Sequence, residues 1–296
     1  MATRAELYAA QVTKLIDGAK SLTPEARAAI EGQLAIADRE ILGRIAQMDP
    51  KSYTAQQLAS LRVAIDQAFA KFRAAATDKV NALQEKAATM ATRDTSATIS
   101  AALGVTQPIG TINMQTVRIA QGYAADLISG LSADAAAKVK GAVQRAFLGG
   151  QTMGEIIDQV GSAIEGGKFS GIFTDVGDRA MRIAFNEILR VHSISAQARL
   201  ADLASRNKAI QKRWLHIPAA RVPRLGHILA DQQTVAVDAP FVVEGEDLMF
   251  PRDPSGSPEN TIFCHCVSVP FIADSDLYAT AEDRATLAAV GLSIAA

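Results

Sequence analysis

A chain of 296 residues is long enough for two domains of ordinary size, or for one domain with a long helical extension. Its 30 basic and 31 acidic side chains leave a formal charge of -1, which excludes a protein that coats nucleic acid by charge alone, and its two cysteines exclude a disulfide framework. Hydrophobic residues make up 49% of the chain and aromatic ones only 5%, so alanine and aliphatic side chains carry the apolar character, a composition that favours closely packed helices.

The opening MATRAELYAA lacks the apolar core and cleavage site of a secretory signal, and no window reaches the ~18 apolar residues of a membrane span. A soluble protein made in a cytoplasm is expected. Residues 1–110 read as a helical hairpin or bundle region ending in a linker. Leu7 and Leu15 mark a short amphipathic segment; Thr23, Pro24 and Glu25 then give an N-cap residue, a first-turn proline and a first-turn acid, which predict a new helix start. Ile30, Leu34, Ile41, Ile45 and Met48 form one stripe, closed by Asp49 and Pro50. A second start at Thr54 leads into Leu58, Leu61, Ile65, Ala68 and Phe72, and the seam then slips to Ala76, Val80, Leu83, Ala87 and Met90. A helix of this length packs along a partner, and an intramolecular hairpin is the simpler reading than a docking face for another protein. The small and hydroxyl residues of 91–110, ending in Pro108 and Gly110, predict a connection.

Residues 111–173 read as a region of shorter helices. One begins near Asn113 and runs to Ile128, and another runs from Ser132 to Phe147 and stops at Gly149 and Gly150. Thr152 and Glu155 form a capping box that opens a third. The loop GGKFSG at 166–171 lacks the preceding strand and the Lys-Thr/Ser ending of a phosphate-binding loop. A long helix is predicted over Asp178–Ser205; Arg182, Asn186 and Arg190 recur along it at four-residue intervals beside Glu187, a pattern more often a solvated face than a site.

The periodicity changes after Arg206. Three of the four histidines, the single tryptophan and both cysteines fall between Trp214 and Cys266. Residues 212–217 alternate like a strand, 222–229 suggest a short helix or turn, Phe241–Val243 and Leu248–Phe250 are short apolar runs, and 252–259 is a loop. Residues 261–269 predict a strand closed by Pro270, with 273–296 left as a tail. The expected fold class is α+β: a mainly α-helical N-terminal region and a small C-terminal α+β domain on a short antiparallel sheet.

On a single strand Cys264 and Cys266 point to one face, and two thiolates are half of a tetrahedral zinc site. His227, with His216 or Asp231, can complete it. The alternative is two small buried apolar residues with His227 hydrogen-bonded beside them. An enzymatic reading takes His227 as general base, Arg224 as an anion clamp and Cys264 as nucleophile, with Asp231 and Asp253 the nearest carboxylates; no catalytic residue is assigned, because each group also has an adequate structural role. A locally basic set, Lys212, Arg213, Arg221 and Arg224, with Lys208 and Arg252 beside it, offers salt-dependent contact to nucleic acid, or else a solvated rim around the sheet.

The order of these features carries a resemblance. Arg182 and Asn186–Arg190 on a helix, Trp214 on a strand, Arg224 and His227, Phe241, Pro251–Asp253, and Asn260 before Cys264 and Cys266 together resemble the phage Mu F-type head morphogenesis family, the minor head proteins that include the phage SPP1 type. The likeness spans residues 174–272, about a third of the chain. The sequence departs from the family at Ala230–Asp231, where an Asp-Gly is usual, and at His265, where an arginine is usual. The resemblance implies a structural virion protein without enzymatic activity, present in few copies near the portal vertex inside the capsid. It also implies a role in head assembly, DNA packaging or retention, or ejection. The implied partners are the portal protein, the major capsid or other head proteins, and packaged double-stranded DNA, with no membrane. A zinc- or histidine-dependent enzyme acting on nucleic acid or a nucleotide is the competing class.

Overall fold

The computed structural model describes residues 2–48, 54–161, 163–164, 168–218, 223–273 and 275–292. The chain divides into two compact units, each assembled from separated segments. One comprises Met1–Thr23, Leu83–Arg118 and Asn186–Ala296, the other Pro24–Ala82 and Ile119–Phe185. Among the described residues, no helix is long and apolar enough to cross a membrane.

Helix α1 (Arg4–Ile45) runs through Pro24, so the start expected at Thr23 does not occur. Val12, Leu15, Ala19, Leu22, Ala26, Ile30, Leu34, Ala37, Ile41 and Ile45 are all buried at three- and four-residue steps. That unbroken stripe outweighs the ~3 kcal/mol by which a helix-interior proline disfavours the helix. The stop expected at Asp49 and Pro50 lies outside the described residues. Helix α2 (Ala55–Leu103) does start as predicted: Thr54 N donates to Gln57 Oε1 at 2.7 Å, and Gln57 N donates to Thr54 Oγ1 at 3.1 Å.

The connection predicted for 91–110 is a correction, because α2 continues to Leu103. The hydroxyls of Thr92, Ser96, Thr98 and Ser100 each donate to the carbonyl four residues back, at 2.7–2.9 Å. They bring their own acceptors, and so the run can be buried inside the fold. Helix α3 (Met114–Leu148) is likewise one helix where two were expected. Ser132 Oγ donates to Ile128 O at 2.8 Å, and the buried stripe through Ile128, Leu131, Ala135 and Val139 passes it without a break.

The predicted capping box is present at the head of α4 (Met153–Val160). Two strands of two residues each follow and pair antiparallel, β1 (Ala163–Ile164) with β2 (Lys168–Phe169), so a short strand does precede the predicted 166–171 loop and Lys168–Phe169 within it is itself strand. Helix α5 (Gly171–Arg206) begins seven residues before the expected Asp178. At Gly171, with φ +56°, an added Cβ would stand 2.7 Å from Gln159 O and from the Gly161 backbone, so this tight approach admits only glycine. The core of this second unit includes Phe173, which stacks on Phe69 and Phe169 at centroid distances of 6.0 and 6.3 Å. Its ion pairs, such as Lys71–Glu40 and Arg179–Asp134, lie on solvated side chains.

After α5 the first unit is built from short elements: β3 (Ile210–Leu215), α6 (Leu225–Leu229), β4 (Thr234–Ala236), β5 (Phe241–Val243), β6 (Glu246–Leu248), α7 (Pro258–Thr261), β7 (Val267–Ile272) and α8 (Ala281–Ala288). Strands β4, β3 and β7 form an antiparallel sheet in that order, and β5 pairs with β6. The fold is therefore α+β with a short antiparallel sheet, as expected. Pro270 does not close β7 but sits inside it, opposite Lys212; β7 is an edge strand, where a residue without an N–H is tolerated. The Pro270 carbonyl accepts the buried Tyr8 hydroxyl at 2.6 Å, which ties the start of α1 to this sheet. The predicted tail instead holds a 3₁₀ turn (Ser275–Tyr278) and α8, whose Leu287 is fully buried.

Candidate metal centre

Trp214 on β3 is fully buried and meets two rings edge-on, Phe241 at 5.3 Å and His227 at 5.9 Å. With Ala230, Val243, Leu248, Cys264 and Cys266 it forms one apolar cluster. His227 enters from α6. Gly226 beside it leaves room for the Glu244 side chain, whose Oε1 accepts Gly226 N at 3.1 Å; an added Cβ would come within 1.8 Å of that side chain.

The cysteines enter differently from the expectation. Residues 262–266 are not strand: β7 begins at Val267, and Phe263 takes a left-handed φ of +55°. A strand would have spaced the two thiols along one face, whereas this turn aims both at one atom. His227 Nδ1 lies 3.5 Å from Cys264 Sγ and 3.5 Å from Cys266 Sγ. All three side chains are buried, and their ligand atoms lie within 4.8 Å of one another.

Side chains from remote segments hold the turn. Arg252, only 1% exposed and itself left-handed at φ +68°, donates through Nη1 to Cys264 O and through Nη2 to Ser193 Oγ at 2.8 Å. Phe263 N donates to Asn186 Oδ1 at 2.8 Å, and Arg224 Nη2 donates to Ile262 O at 2.5 Å. Asp253 folds its own loop by accepting Met249 N and Ser255 N at 2.7 and 2.9 Å. Left-handed conformations in residues other than glycine cost about 1–2 kcal/mol each, and these bonds hold the turn against that strain.

Electrostatics set the two thiols apart. The hydrogen bond from Cys266 is the main cause that holds Cys264 well below the ordinary thiol range; burial opposes it, and His227 and Arg252 reinforce it. The same hydrogen bond, with burial, pushes Cys266 up. The two sulfurs share this hydrogen bond and lie near the Arg252 guanidinium. Two sulfurs beside an imidazole are a soft donor set. Zinc-type bonds of about 2.3 Å to sulfur and about 2.0–2.1 Å to nitrogen give a tetrahedral S···N edge of about 3.6 Å. Both observed edges are 3.5 Å, so the group can hold a metal ion.

The other sequence candidates have different fates. His216 Nδ1 lies 3.7 Å from Cys266 Sγ, while Asp231 is exposed and uses Oδ1 to accept His216 N at 2.8 Å. Lys212, expected to face phosphates, is buried; Nζ donates to Met249 O at 2.7 Å, and burial lowers its pKa to about 8. Arg213 is buried too, with Nε on Thr234 Oγ1 at 2.7 Å and its guanidinium 3.6 Å from the Phe271 ring centre. Arg224 is half-buried on Ile262 O, and Arg221 lies outside the described residues. Lys212 and Arg213 therefore do not offer their charges to a solvent-side phosphate.

Sequence reasoning passed over the interior roles of Arg252 and Ser193, and gave Asn186 an inward role only as the less favoured reading of its helix. The four-residue spacing of Asn186 and Arg190 was the available signal. Asn186 and Glu187 prove buried, and Arg190 pairs with Glu187 at 2.7 Å while its Nε reaches Arg252 O. Only Arg182 of that set is exposed, so the solvated-face expectation is corrected for the others.

No family model matches the chain, and no solved structure matches it. It is similar to a Bacillus subtilis (strain 168) protein, the uncharacterized protein YqbB, at 32% identity over 110 residues. The likeness covers 36% of this chain and 35% of that protein, so the chain spans about a third of the length of this curated relative.

Proposed function

We propose that this chain is a minor head protein of a tailed phage. It is carried in few copies at the portal vertex inside the capsid, where it acts in head assembly and in DNA packaging, retention or ejection. Its partners are the portal protein and other head proteins, with packaged double-stranded DNA nearby. The supporting observation is the fate of the residues on which the family resemblance rests. Asn186 holds Phe263 N, Arg190 reaches Arg252 O, Trp214 packs on His227, Arg224 holds Ile262 O, and Asp253 folds its loop. Nearly every polar group in the set has an architectural task. Such a signature suits a protein whose product is a surface for assembly.

The same reading takes zinc as the metal of the Cys264, Cys266 and His227 group. Two thiolates with imidazole select zinc over hard cations, and a small sheet with a thin core gains folding energy from such an ion. The ion would supply structural cross-linking. A zinc- or histidine-dependent enzyme is less well supported, because His227 is 3% exposed and its partners are equally enclosed, whereas a catalytic centre keeps a position open to substrate.

Particles produced by the phage that encodes the chain provide the test. Quantitative mass spectrometry and an asymmetric reconstruction should find a few copies per particle, with density at the portal vertex. Absence from purified particles overturns the assignment. Elemental analysis of the purified full chain should give one zinc per molecule, and a metal-free wild type removes the zinc reading.

A further inference from the structure

We infer that His216 is the fourth ligand of the metal site, through Nδ1, and that Asp231 positions it without binding the metal. The inference rests on the zinc reading of the Cys264, Cys266 and His227 group. Strand topology brings His216 there. Strands β3 and β7 pair as far as Leu215 opposite Val267, so the next rung of the ladder sets His216 beside Cys266. Its Nδ1 stands 3.7 Å from Cys266 Sγ. That is close to the S···N edge of about 3.6 Å in a tetrahedral zinc site.

His216 lies outside the tight three-ligand group, so closing the site takes a rotation of its imidazole. The side chain is half-buried and borders a cavity. Asp231 is engaged elsewhere: Oδ1 accepts His216 N at 2.8 Å, and Oδ2 takes the Gln232 amide at 3.4 Å. A carboxylate in that place fixes the backbone from which the imidazole hangs, as outer partners of metal ligands do.

Two thiolates and two neutral imidazoles around a divalent ion make a neutral complex. A carboxylate in place of His216 would leave one negative charge beside the Arg252 guanidinium, so it is placement that selects His216: its Nδ1 stands beside Cys266, while Asp231 is exposed and engaged with backbone. His216 also lines a cavity of about 300 Å³ together with Asp17, Asp231 and Gln232. The two possibilities are therefore chemically distinct. With His216 bound the centre is closed and structural; without it the buried His227, Cys264 and Cys266 group lacks a fourth protein donor.

The test uses the full-length chain and its His216→Ala, His216→Cys and Asp231→Ala variants, with zinc affinity read by competition against a chromogenic chelator and geometry read by cobalt substitution. In wild type the cobalt form should show the strong visible bands of a tetrahedral thiolate site. His216→Ala should weaken zinc binding by at least about a hundredfold and reduce and shift those bands, while Asp231→Ala should cost about tenfold and keep the wild-type spectrum. His216→Cys should restore binding and move the bands toward a three-sulfur pattern, a gain that a misfolded variant could not give. Zinc affinity within about threefold of wild type together with an unchanged cobalt spectrum in His216→Ala overturns the inference. So does a cobalt spectrum that responds to Asp231→Ala and not to His216→Ala. Both results require a wild type that binds zinc; a wild type that binds none fails the underlying zinc reading instead.

Discussion

The second unit, made of Pro24–Ala82 and Ile119–Phe185, and the short-element region after Arg206 solve the same problem by opposite means. In the helical unit nearly every backbone group finds its partner four residues away, so the side chains need only supply apolar stripes such as Ile30, Leu34 and Ile41 or Val139 and Val143. Apart from the buried Asp38, charged groups there stay largely in solvent, where pairs such as Arg179–Asp134 add about 0–1 kcal/mol. In the later region the strands are short, and the turns leave carbonyls and amides that no local partner reaches. Long polar side chains from elsewhere satisfy them: Arg252 on Cys264 O, Lys212 on Met249 O, Arg224 on Ile262 O and Asn186 on Phe263 N. Irregular backbone can be buried only where side chains replace the missing ladder.

The sharpest way to break this contrast is to remove a ligand of the proposed zinc site. Cys266→Ser should destabilise the sheet region by on the order of 5 kcal/mol or more, since structural zinc contributes strongly to the folding of small sites. The single tryptophan, Trp214, lies against His227, so its fluorescence reports that region alone. Addition of a chelator to wild type should change that fluorescence and leave most of the far-ultraviolet helical signal in place. Equal loss of both signals would show that the helices depend on the metal as much as the sheet does.

Phe173→Ala probes the other side of the contrast. The ring is fully buried between Phe69 and Phe169, and its removal should cost about 3–5 kcal/mol in urea unfolding followed by the helical signal. The loss should be the same with and without chelator. A loss below about 1 kcal/mol would mean that the aromatic cluster is not a packed core.

The smallest expected effect is a dependence on pH. Burial is the main cause that lowers His192 from 6.5 to about 4, and the Arg252 guanidinium adds to it against the pull of Asp94. The folded protein keeps this imidazole neutral while the unfolded chain binds a proton below about 6.5. Stability from this group is therefore fully present above 6.5 and falls as the pH drops toward 4, by up to about 3 kcal/mol. His192→Leu should remove that part of the acid loss, measured as the difference between variant and wild-type urea midpoints at neutral and acid pH. Both proteins are measured with chelator present, so that any release of the proposed zinc does not enter the difference. Identical slopes would show that His192 is solvated in the native state.

Much of the helical region was legible because its signals are local. The capping boxes at Thr54 and Thr152 and the stripes of α1 to α3 need nothing beyond neighbours three or four residues away. The errors there came from punctuation. Pro24 and Ser132 look like boundaries in isolation, yet each is carried through by apolar residues on both sides, and the hydroxyl run after Ala91 resembles a linker until its hydrogen bonds to the preceding turn are counted. At the candidate site, the spacing singled out His227, Cys264 and Cys266, and the fold brings them together, though through a left-handed turn and not along a strand. The basic set was misleading because charge in a sequence carries no information on burial. Lys212 and Arg213 became interior donors once strands far away in sequence placed acceptors over them.

The sequence alone determined the helices, the change to short strands after Arg206, and which three side chains could meet as soft ligands. Each of these follows from periodicity, capping chemistry or donor type, properties that residues carry wherever they are placed. Only the tertiary structure decided that Asn186, Arg190 and Arg252 face inward, that Arg252 and Phe263 adopt left-handed backbone, and that His216 stands beside Cys266 while Asp231 holds its amide. Those outcomes depend on partners 15 to 77 positions apart in the chain, and such distances close only when the strands pair and the core packs.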